Sequence, residues 1–229
     1  MGHCQSNMDK IIVQCCSRKN GNVWCVSDLK GMQVKFVAHP EMCEKSGSIF
    51  LYKPDDKLPN NSMTWRQYLV EYNNRGNNPD FILQAGDLYQ PPIYHSLVSK
   101  YGWENTYILS AGWGLIRSDF YTPFYDITFS KQADLCKQRS HHDRYDDFNH
   151  LNNDKSIGVG CSIYFFGGVA YLPLLYSLTN NIHARKVVYY TAFGIQEFNG
   201  YEYIKYKTED YRNWYYSCAQ DFIGGEINR

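Results

Sequence analysis

Between Phe81 and Ala111 the chain spells a strand, a helix and a second strand, and no other stretch constrains the fold as tightly. Phe81 to Ala85 is a short apolar run that ends in Gly86-Asp87. Pro91-Pro92 suits a helix start, Ile93, Tyr94, Leu97, Val98 and Tyr101 form one apolar stripe, and Gly102 supplies the stop. Thr106 to Ala111 reads as the second strand, broken by Gly112-Trp113-Gly114. A strand–helix–strand run of this length is a βαβ unit, whose two strands lie parallel.

The pattern recurs along the chain. Ile11 to Cys15 is a β-branched run that ends in a polar turn, and Val34 to Val37 alternates as a half-exposed strand should. Trp65, Tyr68, Leu69 and Tyr72 share one helix face, with Ser62 placed to cap it and Gly76 to end it. Ser162 to Phe166 predicts a strand, Gly167-Gly168 a turn, Tyr171 to Leu178 a helix and Lys186 to Thr191 a further strand. A short helix to Ile223 closes the chain. Residues 39–61 form a long connection containing Pro40, Pro54 and Pro59, as functional loops often do. Residues 131–155 are polar and charged and read as a helical insert over the sheet. The expected fold is therefore α/β: a mostly parallel central sheet with helices on both faces, in a single domain with a polar helical insert.

Composition narrows the function classes. With 229 residues and 44% hydrophobic content, the chain can bury a full core and is not disordered. Twenty-three basic and 23 acidic residues cancel, which excludes the globally basic coat of a non-specific nucleic-acid binder but leaves a local basic patch open. Twenty-one tyrosines predict either a tyrosine-rich core or aromatic-walled sites. The eight cysteines are scattered, with no Cys-x-x-Cys spacing, so neither a disulfide framework nor a metal site is expected. No cofactor is expected, and His141-His142-Asp143 reads as a solvated loop. Ser156 to Ile182 lacks charge and is long enough to span a bilayer, but its glycines, Pro173 and polar residues argue for strand, turn and helix instead. No membrane contact is expected. Asp9 and Lys10 precede an apolar run too short for a signal peptide, so a reduced, cytoplasmic setting is expected.

In an open parallel sheet, ligands bind beyond the carboxyl ends of the strands. Four segments carry the candidate residues there: Ser17, Arg18 and Lys19; Gly86, Tyr89 and Gln90; Ser110, Ala111, Gly112 and Trp113; and Gly167 with Gly168. Glycine turns let backbone approach a ligand, and exposed amides at a helix start favour phosphate. Asp87, Asp119 and Asp126 are the nearby carboxylates. Acyl-transfer or glycosidic chemistry needs one carboxylate to activate water or to face a developing positive charge.

Several of these blocks resemble a known family. Gly86-Asp87-Leu88-Tyr89-Gln90 is similar to the Gly-Asp-Val-Tyr-Gln segment of the YaaA family of peroxide-stress proteins. Ile108 to Arg117 resembles that family's Leu-Ser-(small)-x-x-Gly-Leu-x-Arg block, and Pro123-Phe124-Tyr125-Asp126 its Pro-Tyr element. Cys16-Ser17-Arg18-Lys19 resembles a turn of related domains of unknown function, which also carry aspartate at the position of Asp126. The resemblance implies an α/β fold, a DNA-binding role and a pocket like those of DNA glycosylases and lyases.

From these residues the leading expectation is a glycosylase that flips and excises a modified or damaged base from DNA, in a setting such as anti-phage defence. Tyr89, Trp113, Phe120 and Tyr125 would stack on the base, and Ser17, Ser110 and Gln90 would read its edge. Asp126 or Asp87 would act on the sugar. Arg18, Lys19 and Arg117 would hold phosphates, helped by the Gly167-Gly168 helix start. Three alternatives stand beside it: a non-catalytic protein that protects DNA under oxidative stress, an enzyme of free nucleotides, and a domain that binds an unrelated metabolite.

Overall fold

The computed structural model describes residues 9–44, 47–158, 160–191, 195–209 and 211–227. In chain order the strands are β1 (Lys10–Gln14), β2 (Trp24–Val26), β3 (Met32–Val37), β4 (Ile49–Tyr52), β5 (Thr106–Ser110), β6 (Gly114–Arg117), β7 (Tyr125–Asp126), β8 (Phe148–Asn149), β9 (Ser162–Phe166), β10 (Arg185–Tyr190) and β11 (Glu202–Lys205). The helices are α1 (Trp65–Asn74), α2 (Ala85–Leu88), α3 (Ile93–Tyr101), α4 (Leu172–Thr179) and α5 (Trp214–Gly224). Seven strands form one sheet in the order β11-β10-β9-β1-β5-β6-β8. Every pair in it is parallel except the β5–β6 hairpin. The α/β architecture with a mostly parallel sheet is as expected.

The βαβ unit is present in a different form. Phe81 to Gln84 is not a strand: Phe81 has a φ of +55° and is 86% exposed, and Gln84 makes only an isolated bridge to Tyr121. Ala85, Gly86 and Asp87 continue into the short helix α2 rather than a strand and turn. The parallel partner of β5 is β1, in the register Ile11↔Thr106 through Gln14↔Leu109. A five-residue apolar run suits a buried connector as well as a strand, and periodicity does not separate the two.

Three further expectations are corrected. The strand expected at Val34–Val37 exists as part of β3, but in a second, small sheet in the order β2-β3-β4, with β7 also paired to β3. The 39–61 connection supplies β4 to that sheet. Thr64 rather than Ser62 caps α1: its hydroxyl accepts from the Gln67 amide while the Gln67 side chain accepts from the Thr64 amide, a reciprocal capping box. The 131–155 segment is not helical. Among its described residues it holds a single 3₁₀ turn, Leu135–Lys137, and β8. Ser130, Ser140, Asn149 and Asp154 each accept from a backbone amide two or three residues on, a local pairing that competes with helix.

An aromatic core joins the two sheets. Phe36 of β3 meets Trp113 at 4.9 Å and Trp65 at 5.6 Å, and Trp24 packs edge-on to Trp65 and Tyr72. Arg66, 2% exposed, donates to the carbonyls of Gly112 and Trp113 at 2.7 and 3.0 Å and pairs with Asp55. That guanidinium fixes the β5–β6 turn. Gly114 completes it with a φ of +87°, where a Cβ would lie 2.5 Å from the Phe148 carbonyl. Among the described residues no helix is long and apolar enough to cross a membrane; 156–182 contains β9, a turn and α4.

Candidate functional site

The carboxyl ends of β1, β5 and β9 share one edge of the sheet because the three strands run parallel. The structure therefore brings Cys15–Lys19, Ser110 and Gly167-Gly168 to one region. The loop after β1 is zipped to the segment after α2. Asn20 N donates to Leu88 O at 2.7 Å, Gln90 N to Arg18 O at 3.1 Å, and the Gln90 amide side chain to Lys19 O at 3.0 Å. Ser17 and Arg18 remain exposed on this loop.

Lys19 points inward. It is 9% exposed, and its Nζ lies 4.3 Å from the centroid of the Tyr125 ring, 5.8 Å from Phe124 and 5.9 Å from Tyr89. Burial lowers its pKa from the ordinary lysine value, against the attraction of Asp126 and neighbouring groups. It is therefore not a surface phosphate holder. Tyr89 and Tyr125 are fully buried and share a 2.8 Å hydrogen bond between their hydroxyls. Burial pushes both phenols well above their usual range. Tyr94 donates to Gln14 O at 2.7 Å, Tyr171 lies 3.2 Å from Cys15 Sγ, and Gln14 donates to the Tyr215 hydroxyl at 3.2 Å. The tyrosines at this edge thus form a packed, hydrogen-bonded cluster, not open stacking platforms.

Beside the cluster lies a cavity of about 640 Å³, within the size range of ligand pockets. Its wall includes Lys35, Val37, Cys43, Phe124, Leu135 and Lys137. Asp126 is not itself a wall residue but pairs with two that are: its Oδ2 is 3.2 Å from Lys35 Nζ and 3.3 Å from Lys137 Nζ. The register Phe36↔Tyr125 and Val37↔Asp126 puts this carboxylate on the edge of β3. Asp134, 2.8 Å from Lys137, raises that ammonium to about 12, with Asp126 adding to the effect. Lys19 and Lys35 also lie 5.8 and 5.9 Å from the Phe124 ring centroid. Lys35 and Lys137, with the carboxylates of Asp126 and Asp134, thus gather beside the Phe124 ring at a largely apolar chamber whose wall also holds Glu44. Lys19 is buried behind that ring.

Other candidates lie elsewhere. Asp87 does not line this cavity; its carboxylate faces His95 Nδ1 at 3.4 Å. Gly86 is a packing glycine, since a Cβ there would come within 2.7 Å of Trp103 and 3.2 Å of Val98. Ser110 is buried and its hydroxyl accepts from the Gly112 and Trp113 amides, while the Ala111 carbonyl accepts from Arg139. Trp113 is fully buried against Phe36 and Phe148, so it has no face free for a base. Phe120 packs on His150 and Phe148. Arg117 sits at the far end of the β5–β6 hairpin, opposite Tyr107, and forks onto Asp119 at 2.7 Å. A Cβ on Gly112 would fall 2.8 Å from the Tyr125 ring, and one on Gly167 2.3 Å from Phe165. The Gly168 amide is already taken by Gln14 Oε1 at 2.7 Å.

Lys35, Lys137, Phe124, Cys43 and Cys136 are the cavity residues that sequence reasoning passed over. Lys35 is the polar member of the alternating Val34-Lys35-Phe36-Val37 run, and it lies two positions before Val37, the Asp126 partner, on the same strand face. That parity was the available signal. Among the described residues no group of three or more His, Cys, Asp or Glu side chains gathers as a metal site, and no disulfide joins the described cysteines. Comparisons with family models, with curated proteins and with solved structures find no match to this chain.

Proposed function

We propose that the chain is an N-glycosidase that excises a modified base from DNA, with Asp126 as its carboxylate. The observation that carries this reading is the Asp126 carboxylate held between Lys35 and Lys137, two wall residues of the cavity of about 640 Å³. A nucleobase fits such a chamber with room for a substituent. Phe124 offers an aromatic wall, while Lys35 and Lys137 supply cations for the phosphates that flank an extruded nucleotide. Cleavage consumes one water: the C1′–N bond breaks, the base leaves with a proton, and hydroxide equivalent adds at C1′ to give an abasic sugar. Asp126 would orient that water or face the positive charge that grows on the sugar. Exposed Arg18 and Ser17 extend the surface toward the backbone. The likeness of the Pro123-Phe124-Tyr125 and Gly86-Asp87 blocks to the YaaA family points the same way, with Asp126 matching the related domains of unknown function instead.

A second reading, an enzyme of free nucleotides, draws on charge pairing. Lys35, Lys137 and Arg117 each already have carboxylate partners, which leaves few of these cations for a long phosphodiester track. One experiment separates the two. Purified protein is incubated with ordinary DNA and with heavily base-modified phage DNA, and abasic sites and released bases are measured. A released modified base with steeply salt-dependent binding supports the glycosylase. Intact DNA, together with hydrolysis of a nucleoside or nucleotide, supports the second reading.

A further inference from the structure

Two wall residues of the 640 Å³ cavity are cysteines that the chemistry at Asp126 does not use, Cys43 and Cys136. They are far apart in sequence and meet because two short turns pack together, the 3₁₀ turn Pro40–Met42 and the 3₁₀ turn Leu135–Lys137. His39 bridges them: its amide donates to Cys136 O at 2.9 Å, and its carbonyl lies 3.6 Å from Cys43 Sγ. Cys136 is also a side-chain hydrogen-bond partner of Cys43. Both residues are half-buried and line the cavity, so a small molecule that enters it meets them. Cys15, Cys161 and Cys218, by contrast, are buried.

We propose that Cys43 and Cys136 form a thiol–disulfide exchange site, which a small-molecule disulfide oxidises to a reversible crosslink across the cavity wall. Two sulfurs in hydrogen-bond contact need only a small approach to reach bonding distance. Their surroundings set the order of events. Burial, a hydrogen bond to Cys136 and the repulsion of a Cys136 thiolate push the Cys43 thiol up to about 12. Cys43 therefore keeps its proton, and Cys136 is the attacking sulfur. The Cys136 thiolate attacks one sulfur of the small disulfide, whose other half leaves and takes up a proton as a free thiol. The product is a mixed disulfide on Cys136, and its formation removes the charge and the acceptor that held the Cys43 proton. Cys43 then gives that proton to water and attacks Cys136 Sγ, which expels the second half of the reagent as a thiol. Two protein thiols are oxidised, and one disulfide is reduced to two thiols. The crosslink ties the 39–44 segment to the turn that carries Lys137. Neither step calls on Asp126, so the site stands or falls apart from the glycosidase reading.

The test exposes the full, reduced chain to oxidised glutathione, blocks the remaining thiols with iodoacetamide and maps the products by peptide mass spectrometry. Thermal melts and amide hydrogen exchange are followed in parallel. A Cys43–Cys136 crosslink that dithiothreitol removes is expected, with slower exchange at 39–44 and 135–137. The melting temperature should rise by about 4–16 °C, as a crosslink between distant segments gives in a chain of this size. Cys43→Ser should stop at a glutathione adduct on Cys136, and Cys136→Ser should leave Cys43 without one, both variants being folded by circular dichroism. The proposal is overturned if wild-type Cys43 and Cys136 take up glutathione without crosslinking, or if neither reacts. It is equally overturned if Cys136→Ser takes up glutathione at Cys43 as fast as Cys43→Ser does at Cys136.

Discussion

Replacing Lys19 by methionine should stabilise the fold. Its ammonium gains from the Tyr125 ring 4.3 Å away, an attraction worth about 0.5–2 kcal/mol. Against this stands the loss of water around a side chain only 9% exposed, which costs several kcal/mol after relaxation. The net at neutral pH is a deficit of about 2 kcal/mol, which methionine avoids while filling the same space. At about 2–4 °C per kcal/mol for a chain of this size, Lys19→Met should melt about 4–8 °C higher. The pH dependence fixes the sign independently. Burial lowers the folded-state pKa of Lys19 below its ordinary 10.5, so between the two values the unfolded chain holds more protons and stability rises with pH. The gap between variant and wild type should therefore be widest at pH 7 and shrink as the pH approaches 10.5. Paired thermal melts at pH 7 and pH 10 read both quantities. A Lys19→Met protein that melts below the wild type at pH 7, or a gap that does not change with pH, would refute the reasoning.

Three further outcomes follow from the same geometry. Gly86→Ala should destabilise by about 1–3 kcal/mol, because the new methyl meets Trp103 at 2.7 Å, and should leave ligand affinity unchanged in chemical denaturation and binding assays. Burial, with Arg117 nearby, lowers His150 to about 4, and its Nδ1 accepts from the Arg117 amide at 3.1 Å. Between about 4 and 6.5 the unfolded chain binds the extra proton, so stability should fall as pH drops through that window, and a His150→Phe variant should flatten the slope in urea titrations. Arg66→Leu should cost about 3–5 kcal/mol, since Asp55 loses its partner and the Gly112 and Trp113 carbonyls lose their donors; a loss under 1 kcal/mol in denaturant melts would contradict that.

The parallel sheet was legible because its strands are continuous apolar runs: β9 matches Ser162–Phe166 residue for residue, and Gly102 stops α3 at a φ of +86°. What sequence could not supply was pairing between distant segments. The β3–β7 contact that seats Asp126 spans residues 36 to 126, and no local pattern announces it. The cavity is walled by Cys43 of the 39–61 connection, whose composition marks a loop but no particular residue, and by Lys137 of the charged segment, which reads as a helical insert. Asp126 is singled out in the sequence by its position beside Tyr125, and its partners Lys35 and Lys137 only by the structure. Trp113 shows the converse. A Gly-Trp-Gly turn suggests an exposed ring, yet Arg66 and Arg139 bind the surrounding carbonyls and draw that turn into the core.

The most direct test of the central claim compares wild type with Asp126→Asn in single-turnover reactions on base-modified phage DNA, with released base counted by mass spectrometry and DNA binding measured in parallel. Asparagine keeps the shape and removes the carboxylate. The account predicts base release by the wild type and a loss of at least about 100-fold in the variant, with binding to the same DNA retained, as expected for a positioned catalytic acid–base group. Release at the wild-type rate by Asp126→Asn would contradict it.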